Sequence, residues 1–313
     1  MKHFAVVGGA GFIGSHFVDS LASSENRITV VDNYCSGTSS RIAGHLNKEY
    51  FTLHNINVEN TEQLVRAFDG VDTVIHLASN PDIAKAAVEP RVDFLQGTAL
   101  TESVLEASRR AGVTKILYAS GSGVYANSGL NGIKEDTLLQ PISTYGSSKI
   151  AGESLLSAYS YMFGIKGLSF RFANVVGPRQ THGVGFDFIR KLNTDPTSLE
   201  VMGNGTQTKS YIYVTDVVNA VLHASNSVNS DYEVFNVSTL DYITVEKIAE
   251  LAVAAKGLKP EEVRIKFGEG DRGWKADVPK IFLDSSKLRA LGWESNFTSS
   301  EAMQKSLNAM VHN

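Results

Sequence analysis

An apolar run, Phe4-Ala5-Val6-Val7, ends directly in Gly8-Gly9-Ala10-Gly11-Phe12-Ile13-Gly14. Few folds accept that junction. A short apolar run bounded by glycines reads as a buried parallel strand. Glycines past its end let the backbone turn tightly into a helix, whose first amide groups then face a pyrophosphate. The spacing is G-x-x-G-x-x-G, not the G-x-G-x-x-G of the simplest dinucleotide fingerprint, and a glycine motif alone is weak. A second apolar run strengthens it: Arg27-Ile28-Thr29-Val30-Val31 ends in Asp32. A carboxylate about 20 residues beyond the glycines is placed to bind an adenosine ribose diol, which favours NAD over NADP.

The pattern repeats. Strands are expected at 4–7, 28–31, 50–54, 73–77 and 115–119, with helices at 12–22, 60–68 and 97–110 between them. A helix over Thr144–Phe163 stops at Gly164, and a strand over 167–172 follows. Repeated strand–helix units imply an α/β fold, a doubly wound parallel Rossmann sheet with right-handed crossovers. After Asn174 the pattern loosens into glycine-punctuated segments, with helices at 244–256 and 300–311. Residues 1–174 are therefore expected to form the dinucleotide-binding domain, re-entered near 209–240. Residues 175–208 and 241–313 are expected to form a smaller C-terminal lobe over the cofactor. Ligands bind outside the carboxyl ends of such strands. The Gly8 loop, Asp32, Leu77-Ala78-Ser79 and Ser120 all fall there.

Composition excludes several classes. A chain of 313 residues, 42% of them hydrophobic, can bury a large core. Its net charge of −4, with scattered basic residues, leaves no footprint for nucleic acid. The single cysteine, Cys35, allows no intrachain disulfide and no cysteine-based zinc cluster, and fits a reducing compartment. No metal site is expected. No apolar run reaches the length of a membrane span, and the N-terminal one is cut by glycines, unlike a signal peptide. A cytoplasmic protein is expected.

Tyr145-Gly146-Ser147-Ser148-Lys149 carries the chemistry. Residues four apart share one helix face. An ammonium beside a phenol favours the phenolate, so such a tyrosine can serve as a general base. Behind a dinucleotide loop, the pair unites a proton acceptor with a hydride acceptor, and oxidising an alcohol needs both.

At this point the chain resembles the extended short-chain dehydrogenase/reductases, and among them the archaeal-type nucleotide-sugar epimerases of the UDP-glucose 4-epimerase kind. The resemblance covers essentially the whole length. It rests on Gly8–Gly14, Asp32-Asn33, His76-Leu77-Ala78, Ser120 to Tyr125, and Tyr145 with Lys149. It extends through Arg171 to Arg179, Lys209 to Asp216, and Asp271-Arg272-Gly273-Trp274. The resemblance implies that Tyr145 removes the proton of a sugar 4-hydroxyl while C4 gives hydride to tightly held NAD. The 4-keto sugar then turns over and takes the hydride back on its other face. It further implies that Gly8, Gly11, Phe12, Ile13, Gly14, Asp32, Asn33, Gly37, Asn55, Ile56, Leu77, Ala78, Ser79, Tyr145 and Lys149 hold the cofactor. Asn174, Lys209, Tyr211 and Arg272 would meet the nucleotide sugar, a UDP-hexose. Helices 97–110 and 144–163 would form a four-helix contact in a homodimer.

Three residues depart from the family pattern. Gly121 stands where a Ser or Thr usually binds the substrate oxygen with the tyrosine, which leaves Ser122 or Ser120 to substitute. Gly97 stands where relatives often carry Asn. Asn55 replaces the Asp that binds the adenine amino group, and its amide oxygen can still accept that bond. Two other readings remain. A dehydratase or decarboxylase of the same fold is disfavoured by Ser122-Gly123, where the dehydratase pattern has Asp-Glu. A non-catalytic NAD-binding protein is suggested by Gly121 and Gly97. Of the remaining candidates, His76 reads as a satisfied core histidine, His182 as a loop residue of the substrate lobe, Asp216 as a helix N-cap, and Trp274 as packed beside the nucleotide or in the core.

Overall fold

A computed structural model describes residues 1–22, 26–80, 85–125, 129–273 and 278–312. The chain divides into two compact units. One comprises Met1–Val124, Pro141–Arg171 and Val221–Phe235, and the other Tyr125–Gln140, Phe172–Ala220 and Asn236–Asn313.

The expected sheet is present. Its strands are β1 (Lys2–Val7), β2 (Asn26–Val31), β3 (Phe51–His54), β4 (Thr73–His76), β5 (Lys115–Gly121), β6 (Lys166–Phe172) and β7 (Tyr232–Val237). Across the sheet they run β7-β6-β5-β4-β1-β2-β3. β1 pairs in parallel with β2 and β4, β2 with β3, and β4 with β5. Order reverses at β1, the switch point where a doubly wound sheet opens a crevice. Strands buried on both faces are near-continuous in apolar residues. Accordingly Ala5, Val6, Val7, Val30, Val31, Val74 and Ile116 are all fully or almost fully buried.

The helices follow the expected spans closely. α1 is Phe12–Leu21 and α2 is Thr61–Ala67. The stretch expected as one helix at 97–110 is instead a composite. A single turn, α3 (Arg91–Asp93), runs into a π-helical segment, Phe94–Ala99, and then into α4 (Leu100–Ala111), which left-handed Gly112 ends at φ +77°. α5 is Thr144–Phe163, the expected span. Ser143 Oγ accepts from the Gly146 amide, and Gly164 closes the helix at φ +72°. An N-cap bond of this kind contributes about 1 kcal/mol. α4 packs between α2 and α5. The core there joins Leu64, Phe68, Val104, Leu105, Ile116, Tyr118 and Leu156.

The smaller unit is built from strands too short to show a period. One small sheet orders Ile243–Thr244, Thr208–Lys209, Lys280–Leu283 and Gly129–Ile133. Asn174–Val176 pairs with Tyr211–Tyr213, and Ser198–Val201 with Arg264–Phe267. Helices Val184–Thr194, Val245–Ala255 and Ser299–His312 share a core of Phe188, Leu192, Ile248, Ala252, Met303 and Leu307. The helix Val214–Ser227 starts two residues before Asp216. That residue is therefore not its N-cap. Its buried carboxylate accepts from the Asn296 amide (3.0 Å) and side-chain nitrogen (2.6 Å).

Candidate active site

Register brings the candidate cofactor residues to one edge. Val7 pairs with Val31 and with His76, Val31 with His54, and His76 with Tyr118. The Gly8 loop, Asp32-Asn33, Asn55-Ile56, Leu77-Ala78-Ser79 and Ser120 thus leave the ends of five adjacent strands. The glycines are required sterically. Gly8 sits at φ +83°, and a Cβ there would lie 2.9 Å from the Ala78 amide nitrogen. A Cβ on Gly14 would lie 2.1 Å from the Gly8 carbonyl oxygen. Gly11 precedes α1 with no side-chain cap, which leaves the first amides of a ten-residue helix to an anion. Phe12 and Ile13 are half-buried and Gly37 is buried.

Asp32 does more than end β2. Its Oδ2 accepts from the Ala10 amide at 2.9 Å and its Oδ1 from the Tyr34 amide at 2.8 Å. The carboxylate therefore ties the glycine loop to the segment after β2. Asn33 donates to Asn57 Oδ1 at 2.7 Å, beside exposed Asn55 and half-buried Ile56.

Tyr145 and Lys149 lie one turn apart at the start of α5, in the same unit. Lys149 is buried, and its Nζ donates to the Ala119 carbonyl at 2.8 Å, 5.5 Å from the Tyr145 ring centre and 5.2 Å from that of Tyr118. Burial draws the ammonium down to about 8, opposed by the carboxylates of Glu153 and Asp93. Tyr145 is half-buried. Loss of water pushes its phenol up to about 12, and the Asp93 charge adds to this. Desolvation, rather than the neighbouring ammonium, thus dominates the phenol here, which differs from the sequence expectation. Asp93, which the sequence reading missed, is buried and accepts from Asn80 Nδ2 (2.9 Å) and Thr144 Oγ1 (2.7 Å).

The two candidate serines separate. Ser120 is buried and its hydroxyl donates to Glu153. Ser122 opens a 3-10 turn, Ser122–Val124, is half-buried, and has no hydrogen-bond partner among the described residues. That turn lies against the tyrosine: a Cβ on Gly123 would sit 3.6 Å from Tyr145 Cδ1. Gly97 is buried in the π-helical turn, where a Cβ would meet Ser148 Oγ at 2.5 Å, so a side chain there would force Ser148 to shift.

In the smaller unit Asn174 is paired in register with Tyr211, and its Nδ2 donates to the Ser210 carbonyl at 3.2 Å. Lys209 is half-buried, Tyr211 is buried in that unit's core, and Arg272 is exposed. His182 lies exposed in the loop before Val184. Trp274 falls outside the described residues. Among those residues no group of His, Cys, Asp and Glu could hold a metal, and no helix is long and apolar enough to cross a membrane.

His76 is only half satisfied. Its Nε2 meets Thr101 Oγ1 at 3.0 Å, while its buried Nδ1 has no partner among the described residues. Burial lowers its pKa from 6.5 to about 3, and the Lys149 charge adds to this. Between those values the unfolded chain takes up a proton that the folded chain refuses. Stability therefore falls as pH drops through that window, by up to about 1.4 kcal/mol per unit. Urea unfolding between pH 7 and 4 is expected to show this loss, with a shallower slope in His76→Gln. Equal slopes would acquit His76.

The family model for the NAD dependent epimerase/dehydratase family matches residues 4–238. The chain belongs to that family. A protein of Methanocaldococcus jannaschii that provisionally bears the name UDP-glucose 4-epimerase is 31% identical over 98% of each chain. A crystal structure of a UDP-galactose 4-epimerase superposes with a TM-score of 0.87 at 36% identity, covering 99% of each chain. The Thermotoga maritima UDP-glucose 4-epimerase, solved with UDP-glucose, gives 0.87 at 31% identity over 98% of each. The family assignment, the epimerase-like character and the Rossmann-type sheet expected from the sequence therefore hold.

Proposed function

We propose that this family member is an NAD-dependent 4-epimerase of nucleotide sugars, of the UDP-glucose/UDP-galactose type, working through a 4-keto sugar. The observation that carries the reading is the seating of Tyr145 and Lys149 beside the strand ends that bear the glycine loop, with Lys149 bonded to Ala119 of β5.

The residues fit a dinucleotide. Backbone at Gly8 and Gly14 fills the space that a side chain would need, and α1 offers its first amides. The Asp32 carboxylate suits a ribose diol and would repel a 2′-phosphate. Gly11, Phe12, Ile13, Asn33, Gly37, Asn55, Ile56, Leu77, Ala78 and Ser79 complete the proposed cradle in the larger unit. NAD held there would supply the acceptor for the C4 hydride, and the positive charge of its oxidised ring would favour the Tyr145 phenolate. Tyr145 takes and returns the proton of the 4-hydroxyl. Lys149, largely ammonium near neutral pH, steadies the phenolate and would help to hold the nicotinamide ribose. Ser122, not engaged elsewhere among the described residues, is the better placed of the two serines to donate to the sugar oxygen.

The smaller unit is the proposed sugar-nucleotide lobe. Asn174 would touch the nucleotide sugar, and Lys209 and Arg272 its diphosphate, with Lys209 a point charge rather than a bidentate fork. The large exposed side chains Phe94, Tyr161, Met162 and Phe163 support a homodimer formed through the α4 and α5 region.

The test is direct. Protein denatured after purification is expected to release NAD, and the intact protein to interconvert UDP-galactose and UDP-glucose. Release of NADP instead would overturn the cofactor assignment. Bound NAD without turnover on a panel of nucleotide sugars would favour the non-catalytic reading that Gly121 and Gly97 suggest.

A further inference from the structure

We propose that Glu153 is a positioning residue: together with Ser120 and Arg171 it fixes α5 against the end of β5, and so sets where Tyr145 and Lys149 stand. The inference takes its reaction from the epimerase reading, but its geometry is independent of it.

Tyr145, Lys149 and Glu153 follow one another at intervals of four and share one face of α5. Two of them grip consecutive residues of β5. Lys149 donates to the Ala119 carbonyl, and Glu153 accepts from the Ser120 hydroxyl. Glu153 is held in turn from β6, where Arg171 Nη2 donates to its Oε2 at 2.7 Å and Nε to its Oε1 at 3.0 Å. Ser120, Glu153 and Arg171 are all at least 95% buried.

A buried ion pair is a poor source of stability, because desolvating two charges offsets most of their attraction. What it supplies here is direction. Apolar contacts would let a helix slide along a strand, whereas a bidentate pair with a third donor accepts one register. The residues after Ser120 are Gly121, Ser122 and Gly123, and a Cβ on the last would sit 3.6 Å from the Tyr145 ring. A slip of α5 along β5 would carry the phenol away from the Ser122 turn.

The carboxylate also acts on charge. Lys149 is faced by Tyr145 and Glu153 from its own helix, Asp93 from α3, Tyr118 from β5 and His76 from β4, with Arg171 of β6 behind Glu153. Of these, Glu153 and Asp93 favour the ammonium.

The experiment uses NAD-saturated protein carrying Ser120→Ala, or the neutral pair Glu153→Gln with Arg171→Met, which removes both charges of the ion pair together. The Lys149 amine is titrated by NMR of lysine labelled at the ε-carbon, assigned with Lys149→Met. Turnover, KM for UDP-galactose and NAD content are measured alongside.

Both variants are expected to keep NAD content and to hold KM within about twofold, while kcat falls about 10-fold or more, as for a small misplacement of reacting groups. The neutral pair is expected to lower the Lys149 pKa by about one unit, the usual scale of one nearby charge, and Ser120→Ala to leave it unchanged. Unchanged kcat and unchanged titration would overturn the proposal. So would a loss of NAD content together with a raised KM and a lowered melting temperature, which would mark general loosening. If the neutral pair does not fold, Ser120→Ala decides on the split between kcat and KM. If the wild type turns over no nucleotide sugar, the epimerase reading fails, and the Lys149 titration alone decides for or against Glu153.

Discussion

Tyr145→Phe is expected to lower epimerisation by about 10²–10⁴-fold, the usual worth of a general base, while NAD stays bound and the melting temperature hardly moves. The substitution removes one oxygen, which makes no hydrogen bond among the described residues. The ring remains, beside the Gly123 turn and 5.5 Å from the Lys149 ammonium. The loss is expected in kcat rather than in KM, because the proton is shared with this oxygen only as the C4–H bond breaks. Single-turnover reduction of bound NAD by UDP-glucose, followed by absorbance, isolates that step from product release. Near wild-type rates would remove Tyr145 from the chemistry.

Ser122→Ala is expected to slow the same single-turnover step by about 10²-fold, comparable to losing one preorganised donor. The family pattern puts a hydroxyl at the position of Gly121, and this chain has none there. Ser120 cannot readily replace it, because its hydroxyl is committed to Glu153. Ser122 remains, on the turn that lies against the tyrosine. Gly121 is buried at the end of β5, so Gly121→Ser in the wild type is expected to crowd the site and slow sugar oxidation. A Ser122→Ala rate within about twofold of wild type, with a faster Gly121→Ser, would mean that the chain lacks this donor and gains from its return.

Six strands of the main sheet were legible because apolar residues concentrate in short runs between punctuated helices, whereas β7, Tyr-Glu-Val-Phe-Asn-Val, mixes polar and apolar residues and was expected only as a re-entry near 209–240. α5 shows this best: Gly164 marks its stop, and the structure ends the helix there, while the Ser143 cap at its start was found only in the structure. The π-helical turn at Phe94–Ala99 was not legible. It depends on Gly97 meeting Ser148 from a distant segment, and no local pattern records that approach. The small strands of the second unit, two to five residues long, are too brief to carry a period of two. Within the site, Tyr145 and Lys149 announced themselves by spacing. Glu153 continues the same interval and could have been found by extending it one more turn. Asp93 gave no signal, since its partners Asn80 and Thr144 lie far from it in sequence. The values at Tyr145 and Lys149 were also out of reach, because they depend on burial rather than on which residue stands nearby.

The two amides held by Asp32 bear on any attempt to retune the cofactor. Exchanging an acidic residue at the end of the second strand for a small neutral one is the obvious way to admit a 2′-phosphate. In this chain the same exchange would release Ala10 and Tyr34, and with them the anchorage of the phosphate loop. On the proposed reading, discrimination at one end of the dinucleotide and grip at its middle would thus be bound into a single side chain. A redesign for the phosphorylated cofactor would have to supply a new acceptor for Ala10 before it added a cation for the phosphate.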